Sequence, residues 1–246
     1  SVKSRGLGDV YKRQALEWAQ TLADQQQAGA YSGVLETIAA TDPQKAATLA
    51  LGLKAGNARN DILAKIAQSW ARQSPLKALA WTSTLVSEAR GHATSRALES
   101  WSKNHPEKAA QYLDENPNPK YLKIIANQWS KRDPEDTANW IASKPESPQR
   151  DSALADTLWH WTTQTPKAAT AWIEALPAGN SRDQAIAGLA VAAVEFDPRS
   201  ALEWSLKITT PSLRNDLSQH TFKAWSRSDP KIAQQWANDH QFSPDN

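Results

Sequence analysis

Seven prolines recur along this chain at Pro43, Pro75, Pro106, Pro134, Pro166, Pro198 and Pro230, with spacings of 32, 31, 28, 32, 32 and 32 residues. Self-similarity at a period of roughly 20–50 residues constrains a fold more than any local propensity, because each copy buries its apolar face only against its neighbours. Other columns keep step with the prolines. Six residues after each comes Leu49, Trp81, Tyr112, Trp140, Trp172, Trp204 or Trp236; three residues after comes Ala46, Ala78, Ala109, Thr137, Ala169, Ala201 or Ala233. Five residues before each sits an anchor: Ile38, Trp70, Trp101, Trp129, Trp161, Ala193 or Trp225.

Each copy has a mechanical reading. The residue before the proline is Asp42, Ser74, His105, Asp133, Thr165, Asp197 or Asp229. Asp, Ser and Thr side chains accept hydrogen bonds from the free N–H groups of a first helical turn. Proline next to them loses no hydrogen bond there and presets the helical φ. Each proline is therefore expected to open a first helix, for example Pro198 to about Lys207. Positions +3 and +6 share one face, the expected buried stripe, with small residues at +3 admitting a neighbouring helix and the large residue at +6 filling the space beyond. On this reading the tryptophans are core, and Trp172→Ala is expected to cost about 3–5 kcal/mol.

A second helix follows a turn rich in breakers, such as Lys144-Pro145-Glu146-Ser147-Pro148 or Leu176-Pro177-Ala178-Gly179-Asn180. Within it Arg59, Arg90, Arg150, Arg182 and Arg214 each precede the next anchor by 11 residues. A cation in the first turn of a helix opposes the helix dipole, so something must offset it. Asp61, Asp151, Asp183 and Asp216 are available as partners, as is stacking on a Trp of the adjacent helix. The alternative is an arginine ladder aimed at acidic side chains or a terminal carboxylate of a bound protein, which makes these five the candidate partner-binding residues. The fold expected is all-α: an α-solenoid of about seven αα-hairpins with a period near 32 residues.

The grammar of Trp, then Asp-Pro, then Ala-x-x-Trp covers about residues 15–240. It resembles bacterial tandem helical-hairpin repeat proteins with W-x-x-D-P units, and more loosely the tetratricopeptide and HEAT-like superfamily. The Gly-Tyr pairing of tetratricopeptide units is missing. The resemblance implies a right-handed superhelix with a concave protein-binding face, and it implies no reaction.

The first fourteen residues, SVKSRGLGDVYKRQ, stand outside the pattern. They resemble a translated transposase-type sequencing adapter and are expected to be foreign to the fold, leaving residues 15–246 as a single repeat domain. Ala15-Leu16-Glu17-Trp18 repeats Ala201-Leu202-Glu203-Trp204, and the proline that should precede it falls at Lys12. The junction is expected to cut a first helix, and the absence of methionine fits a piece of a longer protein. The last copy lacks a second helix, and truncation is expected at that end too. Setting residues 1–14 aside leaves 24 basic and 25 acidic groups, a formal charge of −1, so the basic pI of 8.7 belongs mostly to the tail. No basic footprint for nucleic acid or an anionic membrane survives. No apolar run reaches the ~18 residues of a membrane span.

No catalytic constellation emerges. Cysteine is absent, so thiolate metal sites and disulfides are excluded. His92, His105, His160, His220 and His240 are scattered over different copies without metal-ligand spacing. No Gly-rich phosphate loop or nucleophile elbow occurs. The expectation is a non-catalytic scaffold without cofactor that binds a protein or peptide on its concave face. Its competitor is the helical, substrate-positioning region of a larger enzyme. Either compartment, bacterial cytoplasm or periplasm, is compatible with the composition.

Overall fold

The computed structural model describes residues 14, 17–19, 21 and 24–243, and apart from Gln14 the N-terminal segment expected to be foreign lies outside them. The described residues are all-α, without a strand. The helices are α1 (Asp24–Ala39), α2 (Pro43–Leu51), α3 (Asn57–Gln73), α4 (Pro75–Ser83), α5 (Ser87–Asn104), α6 (Pro106–Glu115), α7 (Pro119–Trp129), α8 (Pro134–Ala142), α9 (Pro148–Gln164), α10 (Pro166–Ala175), α11 (Asn180–Ala193), α12 (Pro198–Ser205), α13 (Pro211–Ser228) and α14 (Pro230–Asp239). Contacts divide the chain into two compact units, Ser1–Ala109 and Ala110–Asn246.

The seven prolines each open a first helix, and the residue before each proline belongs to two helices at once. Its N–H donates to the carbonyl of the anchor at −5, closing the preceding second helix, over 2.7–3.0 Å in all seven copies. Its carbonyl accepts from the N–H at +3, opening the next helix, over 3.0–3.2 Å. The chain thus turns a corner with no loop residue left over, which explains why anchor, proline and +3 keep a fixed spacing. Side-chain capping is less uniform than the residue types suggest. Asp42, Asp197 and Asp229 accept from the N–H three residues on. Ser74, Asp133 and Thr165 adopt the same extended backbone without that side-chain bond. The Asp133 carboxylate instead lies 3.6 Å from Arg132 Nε.

Packing follows one rule in each unit. Second helices pack on second helices: α1 on α3 and α3 on α5 in the first unit, α7 on α9, α9 on α11 and α11 on α13 in the second. The first helices α2 and α4, and likewise α8, α10 and α12, rest on the second helices before and after them. The +3 column lies at the centre of this contact. All seven side chains, Thr137 included, are fully buried, as a close backbone approach requires.

The two aromatic columns differ in depth. The anchors Trp70, Trp101, Trp129, Trp161 and Trp225 are all buried. At +6, Trp81, Trp140, Trp172 and Trp204 are only half-buried, and Leu49 is exposed. Trp236 alone in that column is buried as deeply as an anchor. The +6 ring therefore does not fill the core, as expected for Trp172, but lies against the anchor ring around the corner. Ring centroids are 5.5–5.9 Å apart in the pairs Trp70–Trp81, Trp129–Trp140, Trp161–Trp172 and Trp225–Trp236.

The last copy continues differently. After α14, Gln241 takes a left-handed conformation at φ 51°. Phe242 N–H then donates to Ala237 O and Gln241 N–H to Asn238 O, the 6→1 and 5→2 bonds of a Schellman motif. The reversal lays Phe242 against Phe222 and Trp236, covering the cluster built by Leu202, Phe222, Trp225 and Trp236.

Candidate functional site

The five arginines expected to bind a partner stand at the starts of second helices, where four of them reach back to the turn of their own hairpin. Arg59 donates to Leu53 O at 3.4 Å, Arg90 to Leu85 O at 3.0 and 2.8 Å, Arg150 to Ala142 O at 3.3 Å and Arg214 to Ile208 O at 3.3 Å. Each guanidinium so satisfies a carbonyl that a helix end leaves without an intrahelical partner. That contact offsets the unfavourable position against the dipole. Acidic side chains are not the general partner: among the proposed pairs only Arg150–Asp151 forms, at 2.8 Å. Arg182 is half-buried, with its Nε enclosed and unbonded.

The aspartates after the arginines do a separate job, linking one copy to the next in the second unit. Asp151 accepts twice from Asn180 Nδ2, at 3.0 Å each, while Arg150 also bonds Ser181 Oγ. Asp183, 1% exposed, accepts from the N–H and the hydroxyl of both Thr209 and Thr210 over 2.7–2.8 Å. Burial opposes its charge, but the bonds from Thr209 and Thr210 outweigh burial and hold the carboxyl below its ordinary value. These groups brace turns against turns.

One copy breaks the pattern, the one opened by Pro106 and closed after 28 residues rather than 31 or 32. Its second helix α7 has 11 residues, where α3, α5, α9 and α13 have 17 or 18. The loss falls at the start. Eleven residues before the Trp129 anchor stands Asn118 instead of an arginine, and α7 begins only after it, with Asn118 as N-cap accepting from Lys120 N–H. At ~1.5 Å per residue the missing turn removes about 6 Å of helix.

A cleft of about 580 Å³ opens at that place, between the end of α6, the start of α7 and the α8–α9 turn. Leu113 and Leu122, both buried, form its floor and the half-buried Trp140 a wall, with Pro117, Pro119 and Pro145 around the mouth. Its polar groups are few and convergent. Asp114 accepts from Trp140 Nε1 at 3.2 Å and pairs with Lys144 Nζ at 2.5 Å. Lys144 Nζ also lies 5.2 Å from the centre of the Trp140 ring. Arg150, at 2% exposure, closes the back of the cleft. Of the five arginines, this is the one that lines the cleft. An apolar, mostly preformed concavity with a few fixed polar groups is what a binding site for a small molecule or a peptide side chain requires.

Reading the arginine column did not lead to this cleft. The signal was the odd spacing of 28 and the arginine absent from one copy. Among the described residues no three His, Asp or Glu side chains are grouped so as to hold a metal ion. No described helix is long and apolar enough to cross a membrane. Compared with models of protein families, with curated proteins and with solved structures, the chain matches none.

Proposed function

We propose that the chain is a non-catalytic helical-repeat scaffold, its hairpins stacked as a right-handed solenoid, that docks a segment of another protein in the cleft beside Trp140. The carrying observation is the placement of the cleft in the one copy that departs from the repeat. Regular copies spend their turn residues on internal bonds: arginine to turn carbonyl, aspartate to the neighbouring turn. The short copy forgoes that arrangement and leaves apolar floor and wall open to solvent. An opening lined by Leu113, Leu122 and Trp140 takes a side chain of an extended segment, with Asp114 and Lys144 setting its orientation.

Selection of displayed peptides on the intact chain tests this reading. Selected sequences are expected to bind with micromolar Kd and to lose at least tenfold in affinity when Ser143→Trp fills the mouth of the cleft, with an unchanged melting temperature. Peptides that bind the Ser143→Trp protein as well as the parent would place docking elsewhere and overturn the proposal.

A further inference from the structure

From the cleft beside Trp140 we infer the chemistry of the docked segment: it enters with an arginine side chain, flanked by an apolar residue. The inference rests on the docking reading above and adds the identity of the anchor. Three observations carry it. First, the hairpin turns opened by Pro43, Pro75, Pro134 and Pro198 are each closed by a guanidinium on a main-chain carbonyl, supplied by Arg59, Arg90, Arg150 and Arg214. The copy opened by Pro106 carries Asn118 in that column, so no column arginine serves the turn between α6 and α7. The fold thus builds a guanidinium-accepting turn repeatedly and, in one copy, leaves the cation to be supplied from outside.

Second, the mouth of the cleft already attracts a cation from within the chain. Lys144 sits on the Asp114 carboxylate and over the Trp140 ring. An ammonium uses that site as a point charge, whereas a planar guanidinium can bond a carboxylate in two places and stack on an indole face. Third, the solvent-facing charge of the lining favours a cation. Asp114 and Glu146 are exposed. The Lys144 side chain is 19% exposed, and Arg150 is enclosed and engaged by Asp151. The buried leucines beneath take the apolar neighbour.

The test is a nitrogen–proton correlation titration of the labelled full chain, with the Trp140 indole resonance assigned through Trp140→Phe. The probes are acetyl-Ala-Leu-Arg-Ala-amide and its counterparts with Gln or Glu at the arginine position. The arginine peptide is expected to shift the Trp140 indole and the amides around Leu113 and Leu122 saturably. Its affinity should exceed that of the glutamine peptide at least tenfold and fall by a similar factor in Asp114→Asn/Glu146→Gln. Asn118→Arg, which restores the column arginine, is expected to suppress the shifts. Equal binding of the glutamine and arginine peptides would overturn the arginine anchor while leaving the cleft a docking site. Tighter binding of the glutamate peptide would also overturn it, by showing that the cleft selects an anion. Absence of cleft shifts with all three peptides would overturn both readings.

Discussion

Trp161 and Trp172 face each other across a helix corner, eleven residues apart in sequence, with ring centroids 5.9 Å apart and planes inclined at 53°. Trp161 is 3% exposed and belongs to the core, whereas Trp172 is half-buried and donates Nε1–H to Asn139 Oδ1 in the preceding first helix at 2.9 Å. Truncation should therefore separate the two. Trp161→Ala is expected to cost about 3–5 kcal/mol, and Trp172→Ala about 2–3 kcal/mol because part of that ring stays in water. A double-mutant cycle by denaturant unfolding should return a coupling of roughly 0.5–1.5 kcal/mol. Strict additivity would show that the ring contact itself contributes nothing.

Asp183 ties α11 to the turn before α13, and its lowered pKa fixes the sign of the pH effect. A carboxyl with a lower pKa in the folded chain stabilises it fully above the unfolded value of about 3.9. That contribution is lost as pH falls from there through the folded pKa. Asp183→Asn is expected to lower stability at pH 7 by about 2–3 kcal/mol, since a buried charged acceptor of four bonds is replaced by a group that cannot accept them all. The difference from the parent should narrow below pH 4. Urea unfolding at pH 7, 5 and 3 reads this directly, and a difference that stays constant with pH would remove the carboxylate charge from the account.

Gly188 marks where α11 approaches α9 most closely. A Cβ built there would lie 2.1 Å from Ala155 O. The same column holds Lys65, Arg96, Asp156 and His220 in other copies, so glycine is a requirement of this one contact. Gly188→Ala is expected to destabilise by about 2–3 kcal/mol through forced separation of the helices. Because the obstacle is main chain, Ala155→Gly should not rescue it, and thermal melts of the single and double variants decide the point.

Gln241 holds a left-handed conformation at the C′ position of α14, where glycine has no steric cost. Gln241→Gly is expected to raise stability by about 0.5–1 kcal/mol, after the larger entropy loss of glycine offsets part of the gain. Phe242→Ala should act in the opposite direction by uncovering Phe222 and Trp236. Melting temperatures that move the same way in both variants would contradict the Schellman closure.

Much of the helical order is legible in the columns because it depends on short-range bonds. The residue before each proline must reach −5 and +3 through main-chain groups, and those separations do not change between copies. The first helix opened by Pro198 runs to Ser205, close to the expected end near Lys207. The depth of the +6 tryptophans was not legible, because it depends on first helices resting only on second helices, an arrangement that letter periodicity leaves open. The partners of Arg59, Arg90 and Arg214 escaped for another reason. Main-chain carbonyls are the same in every residue and leave no mark in composition. The cleft was marked, but by a subtraction: four residues fewer between Pro106 and Pro134, and no arginine before Trp129.

The helix corners also bear on how the chain acquires its order during synthesis. Each anchor ring meets its +6 partner across a single proline, so closing the contact needs a loop of only about ten residues, which forms in roughly 10–100 ns. Ribosomes add residues at ~5–20 per second, far more slowly. A corner such as Trp129–Trp140 can therefore close, open and close again many times before the next proline leaves the tunnel. Ordering in this molecule proceeds vectorially, one aromatic latch after another, without waiting for a distant strand of sequence to arrive.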